Sequence, residues 1–307
     1  MGIKVLKGGL LSTIQDSGRQ GFQEYGFVVG GAMDTWAMKL ANLLLGNHPN
    51  EGVIEMTMIG ATFEFDTDTT ICMCGADMKP TINDISVQNG QSIFVKKGDV
   101  LTFKNTAKGC RIYLAISGGF ACEQVLNSKS TYINADIGKR IEAGDYVSIN
   151  QPNKISTIKQ RLDPNLFSYI NDKTIRYTEG RHAHWFSNNL EGNEYKISSE
   201  SNRMGYRLTG QPIRTNVKNE VITEGTVFGT IQVPPNGQPI VLMADRQPTG
   251  GYPKIGEVIT ADFPKLAQCK PGDTIRFKKV TLREAQQIYR ENSKTINILQ
   301  KLLKMKG

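Results

Sequence analysis

The chain has 307 residues, 39% hydrophobic and 21% charged, with a formal net charge of +8. This balance excludes a disordered polar chain, and the length exceeds one compact core, so two domains are expected. The basic residues are scattered, with the densest group, Lys301, Lys304 and Lys306, on a terminal segment, which favours acidic small molecules or an acidic partner over nucleic acid.

No apolar run approaches the roughly 18 residues of a bilayer span and the first residues lack a signal-peptide pattern, so a cytoplasmic protein is expected, with no membrane partner. Cys72, Cys74, Cys110, Cys122 and Cys269 form an odd set without paired spacing, as reduced thiols do in a cytosol.

Near the start, Gln15-Asp16-Ser17-Gly18-Arg19 is followed by Gly30-Gly31-Ala32-Met33-Asp34. Asp34 is a good N-cap for a helix that carries Trp36, Ala37, Leu40, Ala41 and Leu44 on one face and ends at Gly46-Asn47. Its free amides and dipole would favour an anionic group, unless Asp34 serves as a plain cap. Ala37-Met38-Lys39-Leu40 resembles a biotinylation sequence, but a modified lysine needs an exposed hairpin tip and Lys39 lies in a helical pattern.

Most of the remainder reads as short strands: Ile71-Cys72-Met73-Cys74, Ser92-Ile93-Phe94-Val95, Arg111 to Ile116 and Ile240-Val241-Leu242-Met243 are β-branched or aromatic and bounded by turn residues. A Gly-Asp turn feeds a strand three times, at Gly98-Asp99, Gly144-Asp145 and Gly272-Asp273, which suggests two β-barrel domains of related design. The polar stretch from Asn150-Gln151-Pro152-Asn153-Lys154 to Asp163-Pro164 marks the boundary, giving domains 1–165 and 166–307. Cys72-X-Cys74 and His182-X-His184 lack the second pair of a zinc site, so no metal is expected.

In the second half, alternation through Ser201-Asn202-Arg203-Met204-Gly205-Tyr206-Arg207-Leu208 would put Arg203 and Arg207 on one face, where they suit a carboxylate or phosphate, or stand as solvated surface residues. Met243-Ala244-Asp245-Arg246-Gln247-Pro248-Thr249-Gly250-Gly251-Tyr252-Pro253-Lys254-Ile255 follows a strand. Such a loop displays carboxylate, guanidinium, amide and hydroxyl together, although a tight turn with an Asp-Arg ion pair is the simpler alternative. The capping box Thr281-Leu282-Arg283-Glu284 opens a final helix with an apolar stripe at Ala285, Ile288, Tyr289, Ile296, Leu299 and Leu303, expected to pack on its own barrel. No familiar nucleotide-binding loop appears.

These motifs, together with Leu45-Gly46-Asn47 and Gly229-Thr230-Ile231-Gln232-Val233-Pro234, occur in one order along nearly the whole chain. The sequence resembles the family of 5-oxoprolinase C subunits, allophanate hydrolase subunit 2 and biotin-dependent carboxyltransferase-like proteins, which includes antagonists of the Kip inhibitor of a sporulation kinase. The resemblance implies a mainly β protein of two cyclophilin-like barrels with few helices. It also implies a cytoplasmic complex with the A and B subunits of 5-oxoprolinase, the latter resembling the Kip inhibitor, that opens the lactam of 5-oxoproline with ATP to give L-glutamate. ATP is then consumed by the complex, with its binding chain open, and any biotin would arrive on another chain.

In this reading Asp16, Arg203, Asp245 and Arg246 are the catalytic candidates. Gln15, Arg19, Met33, Asp34, Met204, Arg207, Gln232, Gln247, Thr249, Gly250, Gly251 and Tyr252 are the substrate-binding candidates. Arg203 and Arg207 would bind a carboxylate or phosphate, Arg246 an oxyanion, and Asp16 or Asp245 would orient water. The chain departs from the family pattern at Val28, Gly30, Pro248-Thr249 and Gly180-Arg181-His182, which bears on substrate identity rather than fold. The alternatives are carboxyl transfer from carboxybiotin to a urea-like acceptor, and a non-catalytic regulator of a kinase inhibitor.

Overall fold

The computed structural model describes residues 1–152, 160–217 and 221–305. The boundary stretch expected near residues 150–164 therefore falls partly outside the described residues. The chain divides into two compact units: Met1–Gly18, Gly30–Asn171 and Thr295–Gly307 form the first, and Arg19–Val29 with Asp172–Lys294 form the second. Each unit thus holds one segment distant in sequence from its main body. Among the described residues no helix is long and apolar enough to cross a membrane.

The first unit contains two sheets. One runs in the order Tyr146–Ser148, Gly2–Lys7, Thr62–Phe65, Val100–Thr102, Thr81–Ile82 and Ile85–Ser86, the other Leu11–Gln15, Val53–Thr57, Lys108–Ile116, Thr69–Asp77 and Ser92–Val95. Ile3, Val5, Phe63 and Phe65 from the first sheet join Ile54, Met56, Ile71, Met73, Ile112 and Leu114 from the second in one buried cluster. Successive residues of a strand face opposite sides. Cys72, Cys74, Tyr113 and Ala115 accordingly face away from that cluster and pack against helix α1, Thr35–Leu44, through Ala37, Met38, Leu40 and Ala41. Burial on both faces explains why Ile71-Cys72-Met73-Cys74 reads as a continuous apolar run. Each large apolar side chain so buried contributes about 1.5–3 kcal/mol.

Helix α1 is capped as its sequence requires, with Asp34 Oδ1 accepting from Ala37 N at 2.9 Å and Gly46 following at φ +71°. Lys39 lies within this helix.

The second unit is a closed seven-stranded barrel in the order Thr174–Glu179, Lys254–Val258, Thr230–Gln232, Ile240–Leu242, Gly205–Gly210, Glu194–Ile197 and Thr274–Lys279. Thr274–Lys279 closes the ring by pairing parallel to Thr174–Glu179. Strict alternation fills it: Ile175, Tyr177, Tyr195, Ile197, Tyr206, Leu208, Ile275 and Phe277 are buried. Phe277 makes edge contacts with Tyr177 and Tyr195 at 5.9 and 5.7 Å. Strands indeed follow all three Gly-Asp turns. A short helix α2, Phe263–Ala267, precedes the closing strand.

Helix α3, Leu282–Met305, begins with the expected capping box: Thr281 N donates to Glu284 Oε2 at 2.7 Å and Glu284 N to Thr281 Oγ1 at 3.2 Å. Its apolar stripe divides. Ile296, Leu299 and Leu303 pack against the α1 cluster of the first unit, whereas Tyr289 is exposed.

Candidate functional site

In the second unit, the strand Ile240–Leu242 delivers the chain into the loop that carries Asp245 to Pro253. The strand Gly205–Gly210 starts only at Gly205, so the alternation that would have aligned Arg203 with Arg207 does not extend to Arg203. Arg203 lies in the preceding bend, with its carbonyl accepting from Asp245 N at 2.9 Å. Its guanidinium donates to Asp245 through Nε at 2.8 Å and Nη2 at 2.9 Å, and both residues are buried. This planar two-point pairing commits both charges to each other. Arg207 is exposed and stands 3.7 Å from Glu200.

Beyond Asp245, the loop is held by Thr226, whose N donates to Pro248 O at 2.8 Å and whose Oγ1 donates to Gln247 O at 2.6 Å. Thr249–Gly250 pairs antiparallel with Glu224–Gly225. These restraints enclose a cavity of about 270 Å³, walled by Met204, Arg207, Gln232, Arg246, Gln247, Thr249, Gly250, Gly251 and Tyr252 among others. Nine of the sequence candidates therefore meet at one place. Asn202, Gly205, Ile240 and Leu242 also line it. The first two lie inside a motif already singled out, but the apolar pair carries no sequence signal beyond that of an ordinary strand.

Arg246 is buried and its Nη1 donates to Met243 O at 3.4 Å, while Nε has no acceptor among the described residues. Burial pushes this guanidinium down to about 10, against the attraction of Glu257 and Asp245. Glu257 was not a sequence candidate. Burial pushes its carboxyl up, opposed by a hydrogen bond from Thr230 and by Lys254 and Arg246, and its Oε2 has no donor among the described residues.

A larger cavity of about 820 Å³ shares Gly251 and Tyr252 with the first. Phe186, Ile213, Val233, Pro234 and Pro253 give it apolar walls, and Arg214 also lines it. Of these only Val233, Pro234 and Pro253 fall in a recognised motif, because an apolar wall residue looks like a core residue in sequence.

The first-unit candidates have internal partners. Asp16 Oδ1 accepts from Gly18 N at 2.8 Å, Ser128 Oγ at 2.7 Å and Ser130 Oγ at 2.5 Å, and Oδ2 accepts from Lys129 N at 2.7 Å. Gln15 Nε2 donates to Thr13 Oγ1 and Thr131 O. Met33 N donates to Glu55 Oε2 at 2.9 Å. Asp34 Oδ2 accepts from Tyr169 OH at 2.6 Å, and Asp34 N donates to Tyr113 OH at 2.8 Å. The α1 entrance is thus occupied by its own cap. Arg19 is buried and belongs to the second unit, with its N donating to Val29 O at 2.7 Å.

Among the described residues no group of three or more His, Cys, Asp or Glu could hold a metal. Cys72 and Cys74 sit with Sγ atoms 3.8 Å apart inside the first unit, and in the second the His182 ring lies 4.5 Å from that of Trp185 at a tilt of 57°.

The family model for the carboxyltransferase domain, subdomain A and B, matches residues 25–279. The chain is 37% identical to the 5-oxoprolinase C subunit of Escherichia coli (strain K12) over 291 residues, covering 92% of this chain and 93% of that protein. It is 35% identical to the 5-oxoprolinase C subunit of Haemophilus influenzae, covering 96% and 97%. Its fold resembles the crystal structure of the K. lactis urea amidolyase with a TM-score of 0.88 at 27% identity, over 97% of this chain but only 20% of that one. The chain therefore belongs to the carboxyltransferase subdomain A and B family, in which its near full-length relatives are 5-oxoprolinase C subunits.

Proposed function

We propose that this chain is the C subunit of a cytoplasmic, ATP-dependent 5-oxoprolinase and acts with the A and B subunits to convert 5-oxoproline to L-glutamate. The observation that carries this reading is the 37% identity to the E. coli protein across 93% of that protein's length. Full-length similarity favours a shared role over a shared fold alone, because fold by itself hosts many activities.

The chemistry needs activation. A lactam carbonyl is a poor electrophile, so transfer of the γ-phosphoryl group of ATP to its oxygen, with release of ADP, prepares the carbon for water. Water then adds, the ring C–N bond breaks with protonation of nitrogen, and phosphate leaves as the carboxylate forms. In this reading the second-unit cavity receives 5-oxoproline, and ATP is held by a partner or at an interface with one. Arg246 faces the negative oxygen, where a buried cation acts without solvent reorganisation. Arg203 and Asp245 hold the loop that presents Arg246. Asp16 stabilises its own loop in the first unit.

The decisive experiment is glutamate release from 5-oxoproline and ATP by this chain mixed with the A and B subunits, against A and B alone. Activity that requires this chain supports the reading; a verified assembly of all three proteins without activity overturns it.

The match to the urea amidolyase fold favours carboxyl transfer from carboxybiotin as a second reading. It requires a biotinylated protein among the partners, which a streptavidin blot of co-purified material would detect. A blot without such a band removes this reading.

A further inference from the structure

We propose that His182 is a positioning residue for the small cavity of the second unit: through Lys254 and Glu224 it fastens the loop from Asp245 to Pro253, and it does so only while its Nδ1 carries no proton. The consequence for 5-oxoproline rests on the 5-oxoprolinase reading; the fastening itself does not.

Gln247, Thr249, Gly250, Gly251 and Tyr252 wall the cavity from this loop. The loop's own pairing is slight: Thr249–Gly250 meets Glu224–Gly225 in a two-stranded sheet separate from the barrel. So small a ladder is marginal by itself, and the loop depends on what holds its flanks. Thr226 holds the first flank through Gln247 O and Pro248 O. Lys254, the residue after Pro253, holds the second. It is buried, and its Nζ donates to Gly225 O at 2.5 Å and to Glu224 Oε2 at 3.2 Å.

His182 in turn fixes the main chain of Lys254. His182 N donates to Lys254 O at 3.0 Å, and Lys254 N donates to His182 Nδ1 at 3.2 Å. The second bond needs a lone pair on Nδ1, so the neutral ring carries its proton on Nε2, the nitrogen 3.9 Å from Glu224 Oε1. Arg181 Nη1 meets the same Glu224 oxygen at 3.1 Å. The Gly180-Arg181-His182 segment and the Glu224 strand thus grip the end of the cavity loop together.

A second proton turns Nδ1 from acceptor to donor and sets it against the Lys254 amide. The charged and titratable groups that face the ring are Glu224, Arg181, Lys254 and His184. Burial is the largest influence and holds the imidazole below its ordinary 6.5; Arg181, Lys254 and His184 act the same way, and Glu224 opposes them. The fastened form therefore binds the proton less tightly than the released form. Fastening is complete above 6.5 and is lost as pH falls from there through the lowered value. With the released ring titrating at its ordinary value, release is favoured by up to about tenfold more at pH 5.5 than at pH 8.

The test is amide hydrogen exchange of the full chain at pH 8 and pH 5.5, read as protection factors so that the intrinsic pH dependence of exchange cancels. The reporters are the amides of Lys254 and Thr226, with Ile197 N, which donates to Asp273 O, as the barrel reference. In wild type we expect protection at Lys254 to fall several-fold at pH 5.5 relative to Ile197, with Thr226 following. His182→Gln, whose side-chain oxygen accepts the same bond without titrating, should keep its protection at both values. His182→Phe, which keeps a ring beside Trp185 but offers no acceptor, should be poorly protected at both, and a thermal melt confirms that it is folded. In the complex with the A and B subunits, KM for 5-oxoproline should rise several-fold for wild type relative to His182→Gln between pH 8 and pH 5.5, with a smaller change in the ratio of kcat.

The proposal is overturned if wild-type protection at Lys254 is the same at the two pH values, if His182→Gln loses it as wild type does, or if a complex that releases glutamate shows one KM ratio at both. Failure of the functional reading looks different. In that case no glutamate appears at either pH, yet the Lys254 amide still responds to pH through His182.

Discussion

Asp245 accepts from both Nε and Nη2 of Arg203, 42 positions earlier in the chain, and the two buried side chains neutralise each other at the mouth of the loop that carries Arg246. The pair is therefore a clasp for the site. Removing one partner deprives the other buried charge of its two-point ion pair.

Arg203→Ala or Asp245→Ala should accordingly destabilise the protein by about 3 kcal/mol, while the double change Arg203→Met with Asp245→Leu recovers much of that loss. Urea denaturation monitored by circular dichroism measures both. Single variants within about 1 kcal/mol of wild type would remove the clasp role and return these residues to direct chemistry.

The Asp16 carboxylate holds the Ser128–Ser130 segment through three hydrogen bonds, two of them from serine hydroxyls, and accepts a fourth from Gly18 N. Asp16→Ala should cost about 2–3 kcal/mol, because hydrogen bonds to a charged group are among the stronger ones. Amide hydrogen exchange should speed up at Lys129 and Gly18 more than in the barrel strands. Unchanged protection at these amides would contradict the assignment.

Gly31 has φ +91°, and a Cβ there would lie 3.0 Å from Gly18 N and 3.1 Å from Ser17 C. Both neighbours are main chain and cannot swing aside. Gly31→Ala should therefore cost roughly 1–2 kcal/mol. A melting temperature equal to wild type would show that this turn relaxes more freely than its contacts indicate.

Glu257 gives a pH signature. Burial raises its folded-state pKa above the ordinary value of 4.5, so the folded protein holds the proton more tightly than the unfolded chain. Its stabilising contribution is complete below the unfolded carboxyl range and is lost as pH rises through the raised value. Glu257→Gln should thus be more stable than wild type at pH 8, with the difference closing toward pH 4. Denaturation midpoints at the two pH values test this, and a difference that widens on acidification would reverse the sign.

The elements most legible in the sequence are those decided by near neighbours. The α1 cap couples Asp34 to Ala37, and the α3 box couples Thr281 to Glu284, each three positions apart. The Gly-Asp turns and the alternating barrel strands are equally local, since turn chemistry and side-chain direction are fixed within a few residues. Motif order along the chain singled out nine of the residues that line the small cavity, but not Ile240 or Leu242. The tertiary structure decided what each of them does there. Arg203, Arg207 and Arg246 look alike as arginines, but folding gives Arg203 a carboxylate, leaves Arg207 in solvent and buries Arg246 with an open donor. It also sends Arg19–Val29 to the second unit and Thr295–Gly307 to the first. Those outcomes depend on which distant charges and surfaces meet, and pairings 42 or more than 100 positions apart, such as Arg203 with Asp245 and Asp16 with Ser130, leave no periodic trace in sequence.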